Sequence, residues 1–181
     1  MPVISAGLLL YRRSPGPRAG EVGLEVLLVH PGGPYWAKKD AGAWSIPKGM
    51  AEPDELGPEP TTVTGAKARV RAAHADLLSV ALREVREETG LEPEGPFRPL
   101  GGVKMHGHKL VFAWAVEHDC DAAAITSTTF TMEWPPRSGR QAEFPEVDRA
   151  AWFTLEDARR AIVPAQRRFL DDLAAVVASG V

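Results

Sequence analysis

The 181-residue sequence has a single cysteine, Cys120, so no internal disulfide can form. With no Cys/His cluster around it, the thiol reads as packed or partly exposed. Long apolar runs are also missing: none approaches the ~20 residues that span a bilayer, and no basic-then-apolar segment opens the chain. The expectation is therefore a cytoplasmic protein with no membrane partner. Charge of one sign is not in excess either, since 21 Lys and Arg against 24 Asp and Glu leave a net charge of -3. Such a balance gives no general attraction to nucleic acid, and none is expected as a partner. A polyanionic substrate would have to be met by local cations and metal. Neither a phosphate-cradling P-loop nor a Ser/His/Asp arrangement is visible, which leaves P-loop NTPase activity and covalent nucleophilic catalysis without support. His30, His74 and His118 lack metal-ligand spacing. His106 and His108 flank Gly107 and read first as exposed turn residues.

With 44% hydrophobic and 25% charged residues, the chain suits one domain, 1–181, with a substantial core. Val3 to Tyr11 is an almost continuous apolar strand, followed by a turn from Arg12 to Gly20, and Leu24 to His30 is a second strand. A loop from Pro31 to Gly42 leads to a short strand at Trp44 to Ile46. Further strands are expected at Phe97 to Met105, Lys109 to Glu117, Thr129 to Trp134 and Ala150 to Phe153. Thr154 is placed to cap a helix from Leu155 to Ile162 with Asp157 completing the box, and Pro164 opens a final helix reaching about Ala178. This order describes an α+β protein.

The most informative stretch is Arg83-Glu84-Val85-Arg86-Glu87-Glu88-Thr89-Gly90-Leu91. On a helix, Glu84, Glu87 and Glu88 fall within a sector of roughly 100°. Three like charges repel there, and a divalent cation offsets that repulsion. A solvated acidic face is the plainer alternative. Leu78, Ala81, Leu82, Val85 and Thr89 form the stripe expected to pack on a sheet, and Gly90 sits where a helix end wants a left-handed residue. Leu77 and Val80 fall on the carboxylate side one or two turns earlier, so either the segment between Glu55 and the helix covers them or the apolar face is slightly wide.

Gly49 with Glu55 after five residues, then Arg83-Glu84-Val85-x-Glu87-Glu88-x-Gly90-Leu91, resembles the Nudix box of the Nudix (MutT-like) hydrolases, G-x5-E-x7-R-E-U-x-E-E-x-G-U with U aliphatic. The departure is spacing, because 27 residues, Leu56 to Leu82, stand where the family has seven. An insertion at about 56–75 must loop out, and from about Thr64 it turns rich in Ala, Arg and Lys, as a helix would be. The resemblance implies a Nudix-type α/β/α sandwich around a mixed β-sheet and a metal-dependent pyrophosphohydrolase cleaving a phosphoanhydride in a nucleotide. Mg2+ is the implied cofactor, with Mn2+ the alternative. Carried over by position, Glu87 and Glu88 are the main metal ligands, Glu84 a further ligand or the general base, and Gly49 a carbonyl ligand. Arg83 orients the carboxylates through an i,i+4 pair with Glu87. Glu55 is the box residue next to the insertion. A late-loop carboxylate completes many such sites, and Glu146 is favoured here over Glu143 or Glu133, while Asp148 reads equally as a turn former.

The sequence Pro47-Lys48-Gly49 is similar to family members acting on dinucleoside polyphosphates and diphosphoinositol polyphosphates. Lys48 would then contact phosphate, and Lys38, Lys39, Arg137 and Arg140 would extend a cationic rim. Tyr35, Trp36 and Trp134 are candidates for stacking on a base, with core or loop packing as the alternative. The expected partner is a (di)nucleoside polyphosphate. Cleansing of oxidised nucleoside triphosphates, or a nucleotide-sensing module without catalysis, are the competing functions, and a homodimer is left open.

Overall fold

The computed structural model describes residues 3–16, 18, 21–56 and 66–179, with the side chains of 66–76 outside that description. In chain order the elements are β1 (Val3–Pro15), β2 (Val22–Pro31), β3 (Lys48–Met50), α1 (Ala66–Thr89), β4 (Arg98–Lys104), β5 (Lys109–Glu117), β6 (Thr129–Glu133), β7 (Gln141–Pro145), β8 (Val147–Thr154), α2 (Leu155–Ala161) and α3 (Arg167–Ala178). A six-stranded sheet runs β4-β5-β1-β2-β8, with β3 also on β1, while β6 and β7 form a separate hairpin. β1 lies parallel to β5 and its other pairings are antiparallel, so the sheet is mixed, as expected.

The continuous apolar run of β1 is explained by its central place, where both faces are covered. Ala6, Leu8 and Leu10 pack with Leu77, Val80, Ala81 and Val85 of α1. On the opposite face, Leu9 and Tyr11 pack with Phe169, Leu170 and Leu173 of α3 and with Ala158 and Ala161 of α2. Each fully buried Leu or Phe contributes about 1.5–3 kcal/mol, so these two layers hold the α/β/α sandwich together. Among the described residues, no helix is long and apolar enough to cross a membrane.

One discontinuity in the sheet positions the site. β1 pairs with β2 from Tyr11 to Pro15, but with β3 from Ser5 to Gly7. Between them, the Leu8 N–H donates to the Pro47 carbonyl at 3.2 Å. β3 therefore fills a gap beside the central strand and lays Lys48 and Gly49 against α1.

Several sequence expectations are corrected. The strand expected at Trp44 to Ile46 is reduced to isolated bridges, Val29 with Ser45 and Trp44 with Ile162. The regular strand comes after the proline, at Lys48–Met50, where β1 offers unpaired backbone. β1 continues to Pro15 and takes up part of the expected turn, because its register with β2 runs that far. β7 was not foreseen: its pattern of alternating exposed and half-buried residues makes only a two-stranded ribbon with β6. The sheet-facing stripe of α1 is also rotated. Leu77, Val80, Ala81 and Val85 are fully buried, whereas Leu78 and Leu82 are only partly so. Leu77 and Val80 pack with Ala6, Leu8 and Leu10 of β1, while cover by the insertion lies outside the described residues. The helical expectation within the insertion holds from Ala66 onward, while its start at about Thr64 lies outside the described residues.

Candidate active site

With the helix rotated this way, Glu84 and Glu88 continue the sheet-facing row one and two turns beyond Val80 and Ala81, and they meet β3 rather than solvent. Gly49 makes room for them: a Cβ there would lie 1.7 Å from Glu84 Oε2. The Lys48 N–H donates to Glu88 Oε2 at 2.7 Å. Gly90 ends the helix with φ +71° and its N–H donates to the Arg86 carbonyl at 2.8 Å, as the sequence suggested.

Arg83 organises the remaining carboxylates. Its Nε and Nη2 donate to the two oxygens of Glu55 at 2.9 Å each, and Nη1 donates to Glu84 at 2.8 Å and to Glu87 at 3.3 Å. Nη2 also reaches the Met50 carbonyl at 3.2 Å. The expected pair with Glu87 exists, but it is the longest of the carboxylate contacts, and the forked bond to Glu55 dominates. A planar guanidinium suits that geometry.

Electrostatics separate the acids. Burial pushes the Glu88 carboxyl up to about 7, opposed by the Lys48 ammonium and the Lys48 N–H, and reinforced by Glu84 and Glu146. Glu84 is raised by burial too, with Arg83 opposing. Glu55 is lowered by its bond to Arg83. Glu146 thus stands within electrostatic reach of both buried acids. Its Oε2 accepts from the Thr128 hydroxyl at 3.0 Å, and the Thr128 N–H donates to the Glu87 carbonyl at 3.0 Å, which ties the late loop to the end of α1. Glu143 lies exposed on β7, and Glu133 accepts the Gly139 N–H at 2.8 Å within the hairpin.

Lys109 was not foreseen. It is half-buried at the start of β5, opposite Val3, and its ammonium is pushed down by burial and by Lys48, with Glu88 and Glu84 opposing. No local motif marks it; only the parallel pairing of β5 with β1 carries it to this corner. The aromatic candidates gather elsewhere. Tyr35 is exposed and meets Trp134 edge-on, with ring centroids 5.5 Å apart. Lys39 Nζ lies 4.6 Å from the centre of the Trp36 ring. Lys38, Arg137 and Arg140 are exposed on the same loop and on the β6–β7 hairpin. His106 and His108 are exposed in their turn, and Cys120 is half-buried.

Among the described residues, no three acidic or imidazole side chains converge as a preformed metal cage, because Arg83 and the Lys48 N–H hold the carboxylate oxygens. The donor set nevertheless fits a hard divalent cation. It consists of carboxylates only, two of them raised by burial in the place where a cation would offset their charge, beside a glycine whose missing Cβ leaves the space.

No curated protein matches this sequence. Among solved structures, the chain is similar to a C. elegans Ap4A hydrolase in a binary complex, with 20% identity, a TM-score of 0.56, and 97% of this chain and 98% of that chain covered. It is similar to the NUDIX domain of Shewanella oneidensis NrtR complexed with ADP ribose, with 15% identity, a TM-score of 0.55, and coverage of 98% and 89%. A third likeness is to the MutT protein from Methanosarcina mazei Go1, at 19% identity, a TM-score of 0.51, and coverage of 97% and 94%. These likenesses concern the fold. The NUDIX domain family model matches residues 69–173, more than half of the sequence and inclusive of the whole carboxylate helix from Arg83 to Gly90. The chain therefore belongs to the NUDIX domain family and is a hydrolase acting on pyrophosphate bonds.

Proposed function

We propose that the chain is a divalent-metal-dependent pyrophosphohydrolase whose substrate is a nucleoside or dinucleoside polyphosphate. The observation that carries this reading is the junction of β3 and α1, where the half-buried acids Glu84 and Glu88 lie against Gly49 and the Lys48 N–H, with the ammonium groups of Lys48 and Lys109 within electrostatic reach. Acids alone would suit many metal sites. Acids beside half-buried ammonium groups suit a metal with a phosphate chain.

Glu88, Glu87 and Glu84, with the Gly49 carbonyl, would hold the cation, Mg2+ or Mn2+. When bound, it supplies Lewis-acid stabilisation of the charge that develops on phosphate. The protein's own groups do the rest. Lys48 and Lys109 bind phosphate oxygens and hold the anhydride in place. Arg83 fixes the rotamers of Glu84 and Glu87 while Glu55 holds Arg83. Glu84 and Glu146 are the groups placed to take the proton of the attacking water. Tyr35, Trp36 and Trp134 provide aromatic surface for a base, and Lys39 and Arg137 provide charge for a longer phosphate chain.

The test is a panel of dinucleoside polyphosphates, nucleoside triphosphates, nucleotide sugars and diphosphoinositol phosphates, incubated with Mg2+ in heavy-oxygen water and read by product mass. Cleavage of a nucleotide polyphosphate, lost in Glu88→Gln, is the expected result. Cleavage of a nucleotide sugar alone would overturn the polyphosphate assignment, and tight binding without cleavage of any compound would overturn the catalytic one.

A further inference from the structure

His30 closes β2 with a fully buried side chain that the chemistry above does not use. Its Nδ1 lies 2.7 Å from Asp148 Oδ1, and its Nε2 lies 2.7 Å from the carbonyl oxygen of Lys39. The Lys39 carbonyl can only accept, so Nε2 is the donor of that bond, and Nδ1 faces the Asp148 carboxylate. Trp44 packs edge-on against it, with centroids 5.3 Å apart. The two bonds lead to two different functional segments. Lys39 ends the stretch that carries Tyr35 and Trp36, and Asp148 follows Glu146 by two residues.

A second tie runs between the same two segments. The Gly32 N–H donates to the Glu146 carbonyl at 2.9 Å, and a Cβ on Gly32 would lie 1.9 Å from the Pro145 carbonyl oxygen. Residues 32–39 are thus fastened at both ends, by Gly32 at the start and by the Lys39 carbonyl at the close. Two turn bonds, from the Trp36 N–H to the Gly33 carbonyl at 3.2 Å and from the Lys39 N–H to the Trp36 carbonyl at 2.8 Å, shape the segment between those ends.

We infer that His30 is a positioning residue that holds the 32–39 segment in fixed register with the Glu146 turn, so that the aromatic surface for the base and the late carboxylate are presented together. The inference rests on the proposal that Tyr35, Trp36 and Lys39 face substrate. Of the two bonds, the one to the Lys39 carbonyl sets the segment.

Two substitutions separate the bonds, since the amide nitrogen of Gln reaches the place of Nε2 and that of Asn the place of Nδ1. His30→Asn is expected to raise KM about tenfold with kcat within about threefold, and His30→Gln to keep KM within about threefold of wild type. Leu28→Ala, a buried neighbour on β2, supplies the structural baseline and is expected to lower Tm without moving KM. Equal KM values for wild type, His30→Asn and His30→Gln would overturn the inference, as would a KM change that Leu28→Ala reproduces. Amide exchange compared between wild type and His30→Asn judges the anchor without substrate. The Lys39 N–H, which donates to the Trp36 carbonyl beside the anchored Lys39 carbonyl, is expected to exchange at least about tenfold faster in His30→Asn, and equal rates in the two proteins would overturn the anchor. Wild type that neither cleaves nor binds any nucleotide would instead defeat the functional proposal, leaving the exchange result to decide on the anchor.

Discussion

The Arg83 guanidinium grips the Glu55 carboxylate with two parallel bonds of 2.9 Å, joining residues 28 positions apart in the chain. The contact brings the two halves of the carboxylate motif together across the insertion that separates them. It also leaves Nη1 to hold Glu84 and Glu87, so a single cation sets three acids.

Arg83→Lys is therefore not a mild change. An ammonium cannot serve the fork and Nη1's acceptors together, and loss of these charge-assisted bonds is expected to cost about 1–3 kcal/mol of stability. A drop of at least about tenfold in kcat/KM should accompany it. Thermal melts and steady-state kinetics check both; wild-type values in each would remove the orienting role.

Gly49→Ala puts a Cβ on top of the Glu84 carboxylate, 1.7 Å from its oxygen. Either β3 leaves β1 or Glu84 leaves the site. The atoms it meets are the free end of the Glu84 side chain, so displacement of that carboxylate is the cheaper outcome, and a marked loss of kcat is expected with the fold and melting temperature retained, as read by circular dichroism and kinetics.

Glu88→Gln keeps an oxygen for the Lys48 N–H but removes the charge. A loss of about 100-fold or more in kcat is expected, with the melting temperature of the metal-free protein unchanged or higher. Retention of full activity would exclude Glu88 from metal binding.

The same carboxyl sets a pH dependence. Burial raises its pKa from an ordinary 4.5 to about 7 in the folded chain, so across this window the native state binds more protons than the unfolded one. The stabilising contribution is full below 4.5 and is lost as pH rises through about 7. Metal-free protein should lose on the order of 2 kcal/mol over that interval, as measured by denaturant titration, and Glu88→Gln should flatten the profile. Saturating Mg2+ should flatten it as well, because the cation favours the ionised form.

Legibility from sequence followed the range of the interactions. The α1 carboxylates, the Gly90 terminus and the Thr154 cap depend on residues a few positions apart, and they were readable; the Asp157 N–H does donate to Thr154 Oγ1 at 3.2 Å. The rotation of α1 was not. Leu78 and Leu82 are as apolar as their neighbours, but it is Leu77, Val80, Ala81 and Val85 that pack with Ala6, Leu8 and Leu10 of β1, far away in sequence. Lys109 and His30 were missed for the same reason, since a lysine opening a strand and a histidine closing one carry no spacing signal.

By itself the sequence determined the family, the three helices, the long strands and the local array of acids, though not β3 or β7, because box spacing, hydrophobic period and capping are properties of neighbouring residues. Only the tertiary structure decided what those acids face. The exchange of β2 for β3 along β1 sets Lys48 and Gly49 against α1, the parallel β5 brings Lys109, and the β7–β8 turn brings Glu146. Burial at that junction is a property of packed layers, and it is burial that pushes Glu84 and Glu88 away from ordinary carboxylates.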